Sequence, residues 1–260
     1  MSADAFYHRA GPDRFEATGA TAGPWDPGAQ HAGPPSALLA RAIEAHEPVP
    51  GQHLARVTVD IFRPVPVAPL TVSTRTVRPG RRVTLVEAVA SAGGEPVLSA
   101  RGWRIATPAR RAPVPEVDDP VPPVPPAVPS ADWPGVHMDG YLTAMRWRFV
   151  TGGFTQPGPA QVWMSPGVPL VAGEPTSPAC LAMLVADSGN GVSGWLDPRE
   201  WLFVNVDLTV ALYRQPRGEW LLLDAATALG PDGAAVVSSR LADTTGGCGR
   251  AVQTLLVSPR

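Results

Sequence analysis

The sequence predicts an α+β fold assembled from two successive units, each a helix followed by antiparallel strands. Three features carry that expectation. Apolar residues in SALLARAIEAHE recur at helical spacing, and alternating runs joined by tight turns follow them. A second helical run, SPACLAMLVAD, is again followed by strand-like runs. Between the two lies a proline-dense stretch, residues 108–134, with no periodicity of either kind.

Residues 1–24 are polar and Gly-rich, with Phe6, Tyr7 and Phe15 as the aromatic exceptions. They read as a short strand pair or an arm packed on the body. GPWDPGAQHAGPP is loop by its turn chemistry. The first helix places Leu38, Leu39, Ala42 and Ile43 on one face, with Ser36 as the expected cap after Pro34 and Pro35. Four strands follow: HLARVTVDIF, PLTVSTRTVR, RRVTLVEAVASA and EPVLSARGWRIA, with Pro79-Gly80 and Gly93-Gly94 as turns. A helix and then antiparallel strands argues for α+β rather than a doubly wound parallel sheet.

Residues 108–134 suit extended polyproline geometry and a stiff linker. The expected organisation is therefore an N-terminal unit at 1–107, the linker, and a C-terminal unit at 135–260. The second unit opens with a strand-like run over 137–154 and another in PAQVWMSPG. After its helix, VNVDLTVALYRQP, GEWLLLDAATAL, AAVVSSRLAD and GRAVQTLLVSP read as strands. VTVDIFRP and VNVDLTVALYRQP share a V-x-V-D core, which matches Asp60 with Asp207 and suggests an ancient duplication. A helix wrapped by a curved antiparallel sheet is the hotdog arrangement. Two copies would pair into one continuous sheet and cover the edge each exposes alone.

Composition narrows the chemistry. Apolar residues are 44% of the chain, enough for a sizeable core, and the net charge is −2. That balance suggests no nucleic-acid partner. Every one of the 21 basic residues is Arg, which excludes lysine-based chemistry and points to a GC-rich, bacterial-like coding background. Cys180 and Cys248 are two thiols without metal-ligand spacing, so neither a metal nor a cofactor is expected. No apolar run approaches a membrane span and no secretory leader is evident, so the expected location is cytoplasmic.

One residue stands out. Asp187 closes an apolar helix, where a carboxylate is expensive to bury and opposes the helix dipole. The chain resembles the double-hotdog acyl-CoA thioesterases of the thioesterase II-like group. The resemblance rests on HAGPPSALLARAIE, VDIFRPVP and GRRVTLVEAVASAGGEPVLSARGW in the first half, and on LVADSGNG, VNVDLTVALYRQPRGEWLLLDA and AVQTLLV in the second. It implies hydrolysis of acyl-CoA or acyl-carrier-protein thioesters by a water activated at an Asp, with a Thr or Ser and a Gln beside it. Those positions fall on Asp187, Asn205 and Gln253, and Asn205 departs from the family's hydroxyl.

No Gly-x-Ser-x-Gly elbow is present, so water is the expected nucleophile. Asp187 is the expected base, with Gln253 and Asn205 orienting the water. The first turn of one of the two helices is the expected source of N–H groups for the developing oxyanion. His31 and Gly33, in a loop resembling the family's His-Gly-Gly helix entry, are expected to line the substrate pocket. Arg78, Arg81 and Arg82 form the densest basic turn and are candidates for the CoA phosphates. Two alternatives stand beside hydrolysis. A hotdog dehydratase or hydratase would need His31 or His137 to reach a carboxylate in space; a weakly active acyl-thioester binding or scaffolding protein is the other. Chains of this kind often pair further, so a homo-oligomer is compatible with the reading.

Overall fold

The computed structural model describes residues 3–110, 112–113, 120–128 and 133–260. The first half holds β1 (Tyr7–Arg9), β2 (Arg14–Ala17), α1 (Gly33–Ala45), β3 (Gln52–Ile61), β4 (Leu70–Arg78), β5 (Val83–Ala92) and β6 (Glu95–Ala106). The second holds α2 (Tyr141–Ala144), β7 (Met145–Gly153), β8 (Gln156–Pro166), α3 (Pro178–Ala186), α4 (Gly189–Val192), β9 (Trp201–Asn205), β10 (Asp207–Leu212), β11 (Leu221–Leu229), β12 (Ala234–Asp243) and β13 (Gly246–Pro259). These strands form one sheet in the order β1-β2-β4-β5-β6-β3-β10-β13-β12-β11-β8-β7, with β9 also paired to β13. The halves meet where β3 pairs antiparallel with β10, from Asp207↔Asp60 to Ala211↔Arg56. Each half's inner strand thus covers the other's edge, and the result is the expected double hotdog.

The two long helices lie antiparallel inside the curved sheet. Gly33, at the start of α1, faces Leu184 and Asp187 at the end of α3. At the other end, Ser177 Oγ donates to Glu44 Oε2 at 2.6 Å. Ser177 also caps α3, its Oγ accepting from Cys180 N at 3.2 Å, with Pro178 in the first turn. From Ala179 to Ala186 every residue of α3 is buried, because α1 and the sheet cover it on all sides. α1 begins four residues earlier than the expected cap at Ser36 implies. Ala32 is the cap residue and makes no side-chain cap bond, while Ser36 lies inside the helix and is buried. Pro34 and Pro35 fit the first turn because the N–H groups they lack would have no helical acceptor there.

The V-x-V-D match is out of step with the structure. The β5–β6 and β12–β13 hairpins each carry a register shift, at Ala90/Ser91 and Leu241/Ala242. Superposing those shifts matches Thr58 with Thr209, and these two residues pair directly across the junction. A pseudo-twofold axis therefore passes through that pair. Asp60 and Asp207 are partners across the junction rather than equivalents.

Two further expectations change in detail. VNVDLTVALY is not one strand: it breaks between Asn205 and Asp207, where Asp207 Oδ1 accepts from Thr254 N at 2.6 Å in place of a backbone carbonyl. The run over 137–154 begins with the single turn α2 before β7. The proline-rich stretch lies partly outside the described residues, but residues 120–128 pack on the outer face of the sheet. Val121 and Val124, three residues apart as one face of a polyproline helix requires, cover the buried Trp163, Leu222 and Ala242. Both cysteines are buried and free, and burial raises both thiols, that of Cys248 to about 12. Among the described residues, no helix is long and apolar enough to cross a membrane.

Candidate active site

Asp187 sits at the junction of both halves because α3 ends there. It is 2% exposed, and its carboxylate is surrounded by donors. Asn205 Nδ2 donates to Oδ1 at 2.8 Å and also to Asp207 O at 3.2 Å. Gln253 Nε2 lies 3.4 Å from the same Oδ1 and donates to Asp187 O at 3.2 Å. His31 Nδ1 lies 2.8 Å from Oδ2. These donors offset the cost of burying a carboxylate at the negative end of a helix. The three sequence-nominated residues converge, and His31 joins them from the other half of the chain.

Each partner is held by its own element. Gln253 faces inward from β13, and its Oε1 accepts from Asn190 N at 3.2 Å. Gly189, which opens α4, makes room for it: a Cβ there would lie 2.7 Å from Gln253 Oε1. Asn205 ends β9, and the strand break after it turns its amide toward Asp187. His31 is fixed by its backbone N–H, which donates to Thr21 O at 2.8 Å, and by its ring, stacked on Tyr141 at 3.7 Å and 10°. Tyr141 OH donates to Leu184 O at 2.6 Å and shares a bond with Ser188 Oγ at 2.9 Å. Burial pushes the Tyr141 phenol far up, so it stays neutral.

Gly33 belongs to this packing. A Cβ there would meet Leu184 O at 3.0 Å and His31 Nδ1 at 3.2 Å, so glycine lets α1 start against the last turn of α3. Gly33 N–H also points at His31 Nδ1 from 3.1 Å, so this ring nitrogen faces both a backbone donor and the Asp187 carboxylate. We assign a proton to Nδ1 because the shorter, charge-assisted contact to Asp187 is the stronger of the two. His31, Ser188, Asn190 and several aromatic rings line a void of about 10 Å³, room for about one water.

The helix starts do not supply the expected oxyanion donors. α1 offers Gly33 N–H, which points at His31, and then two prolines, while Ser36 N donates to Ala32 O. The start of α3 lies at the end remote from Asp187, roughly 13 Å along a nine-residue helix. Asn190 is better placed, since it lines the void and its Nδ2 makes only a long bond, 3.4 Å, to Phe203 O.

Arg78, Arg81 and Arg82 are not brought to this cluster. Gln52 Nε2 donates to Gly80 O and Arg81 O, which ties their turn to the start of β3. Asp207 pairs near the end of β3, about 26 Å away at a strand's rise. Arg78 donates instead to Val83 O and lies over the Trp103 ring.

The pseudo-twofold axis asks for a second site, and the structure shows an apolar one. Asn205 corresponds to Leu54 and Gln253 to Gly102. Ile43 and Leu54 fill the space over Gly102, where a Cβ would lie 2.8 Å and 2.9 Å from their methyls. Arg104 closes the end of α1 there, donating to His46 O at 2.6 Å and Glu47 O at 3.2 Å. One half carries a polar cluster at its helix end and the other a packed plug.

Sequence reasoning missed Tyr141, Ser188 and Asn190. SGNG beside Asp187 was a usable signal for the last two; Tyr141 lay hidden in a run that reads as strand.

The family model described as acyl-CoA thioesterase C-terminal domain matches residues 118–257, and that described as acyl-CoA thioesterase N-terminal domain matches residues 21–105. No curated protein matches the chain. Among solved structures, a conserved protein of unknown function with a hot dog fold from Alicyclobacillus acidocaldarius is similar at 20% identity, with a TM-score of 0.73 over 98% of this chain and 97% of that one. The acyl-CoA thioesterase II TesB2 of Mycobacterium marinum is similar at 15% identity, with a TM-score of 0.67 over 98% and 95%. The tesB protein of Mycobacterium avium subspecies paratuberculosis is similar at 17% identity, with a TM-score of 0.66 over 97% and 96%. All three share the fold of this chain.

Proposed function

The chain belongs to the acyl-CoA thioesterase family and is a thioester hydrolase, and we propose that Asp187 activates the attacking water through His31. The observation that carries this reading is the void beside the cluster, which His31 lines and Asp187 does not. Asp187 receives Nδ1–H, fixes the tautomer, and leaves Nε2 as the ring nitrogen free to take a proton. Asn205 and Gln253 hold the carboxylate in place from its other oxygen.

Water adds to the thioester carbonyl as its proton passes to Nε2. Asn190 Nδ2 is the proposed donor to the developing oxyanion. The C–S bond then breaks, the thiolate takes the proton back from the imidazolium, and free acid and thiol leave. Asn205 has a second donor bond, to Asp207 O, and so replaces the family's hydroxyl while holding a defined orientation. Both acyl-CoA and acyl-carrier-protein thioesters are proposed substrates.

The His31–Asp187 contact also supplies the histidine–carboxylate pair that a hydratase needs. One assay separates the two. Crotonyl-CoA is incubated with the protein, and thiol release and loss of the enoyl absorbance are followed together. Thiol release is expected. Enoyl loss without thiol release would replace hydrolysis by hydration.

A further inference from the structure

The geometry points to an aryl-acyl thioester, with a short acyl group carrying an aromatic ring, as the substrate class of this site. This inference rests on the hydrolase reading above. The water-sized void beside His31 shares Trp133, Phe154 and Gly191 with a larger cleft of about 340 Å³. The acyl group leaving the reacting carbonyl has that cleft as its adjoining space.

Its walls are flat and interlocked. Trp133 and Phe154 stack at 5.2 Å and 14°, and Trp25, which lines the void rather than the cleft, stands edge-on to both Trp133 and Phe203. Gly191 and Gly194 contribute bare backbone to the lining. Such a surface offers a ring both a face and an edge to pack against. Neither the void nor the cleft is lined by a residue of α1 or α3, so the space adjoining the reacting carbonyl does not extend along the two long helices, as a long alkyl chain would need.

Trp195 is a second, independent sign. It is 50% exposed, yet it is fixed: Nε1 donates to Thr227 O at 2.9 Å, and its ring sits against Gly158. A Cβ at Gly158 would lie 3.2 Å from that ring, and the residue's φ of +107° favours glycine on its own account. An immobilised, half-exposed indole lining a cleft is a surface prepared for a ligand. Thr155 and Gln156 also line the cleft, and Asp197 and Arg199, which line it as well, are paired with each other.

The test compares kcat/KM by thiol release for phenylacetyl-, hexanoyl- and palmitoyl-CoA, with wild type and Trp195→Ala. Phenylacetyl-CoA is expected to exceed both alkyl substrates by about tenfold or more, and Trp195→Ala to shrink that ratio about fivefold. Palmitoyl-CoA equal to or better than phenylacetyl-CoA overturns the inference. So does a uniform loss in Trp195→Ala, which would place the common pantetheine arm in the cleft. Binding of phenylacetate against hexanoate, read by intrinsic tryptophan fluorescence, separates the two layers. Preferential phenylacetate binding without hydrolysis of any thioester would sink the hydrolase reading and keep the aryl preference. Absence of that binding preference, with hydrolysis intact, would overturn the aryl preference alone.

Discussion

His31 Nδ1 and Asp187 Oδ2 lie 2.8 Å apart although they come from opposite halves of the chain. The contact exists because α1 and α3 run antiparallel, so the start of one meets the end of the other. If the pair works as a unit, each member is needed. Asp187→Asn and His31→Ala should each lower kcat by about 10²–10⁴-fold while retaining the native circular dichroism spectrum. Added imidazole should restore part of the activity of His31→Ala and none of that of Asp187→Asn. Failure of rescue, with Asp187→Asn inactive, would return the proton to Asp187 itself.

Asn205 tests how far an amide substitutes for a hydroxyl. Asn205→Thr keeps one donor toward Asp187 Oδ1 and should stay within about tenfold of wild type in kcat. Asn205→Leu copies the residue of the apolar half and leaves Asp187 short of a donor, so a loss of about 10²-fold is expected. Equal activities would remove Asn205 from the site.

Gly102 marks the plugged counterpart. Gly102→Ala places a methyl against Ile43 and Leu54 in a packed core and should cost about 1–3 kcal/mol by denaturant unfolding. Turnover per folded molecule should not change, because the plug packs against Ile43 of α1 in the other half and shares no residue with the Asp187 cluster. A variant as stable as wild type would show that the core there is loosely packed.

Arg214 and Asp243 predict a pH effect on stability. Burial pushes the Asp243 carboxyl up, but the Arg214 guanidinium, the Thr245 hydroxyl and N–H, and Arg217 N–H together hold it well below the usual range. A carboxyl depressed in the folded state stabilises above its unfolded value of about 3.9, and loses that contribution as pH falls toward the folded value. Arg214→Met should therefore cost about 3–5 kcal/mol at neutral pH, where it strands a buried carboxylate. The gap in Tm between variant and wild type should narrow below about pH 4. A constant gap across pH would show that Arg214 acts through packing alone.

Much of this protein is local in origin and could be read from one dimension. Periodicity placed both long helices and most strands, because the buried faces repeat every 3.6 or 2 residues. The cost of a carboxylate ending an apolar helix singled out Asp187, and family resemblance added Asn205 and Gln253. What the chain alone could not decide was geometry between distant segments. Strand register put Thr58 opposite Thr209 and showed that the V-x-V-D match joined partners rather than equivalents. Register also carried the Arg78–Arg82 turn to the far end of β3. The antiparallel helix pair brought His31 from a Gly/Pro loop to Asp187 and stacked it on Tyr141. Sequence patterns report which face of an element is buried; only the packed sheet and helices decide which buried faces meet.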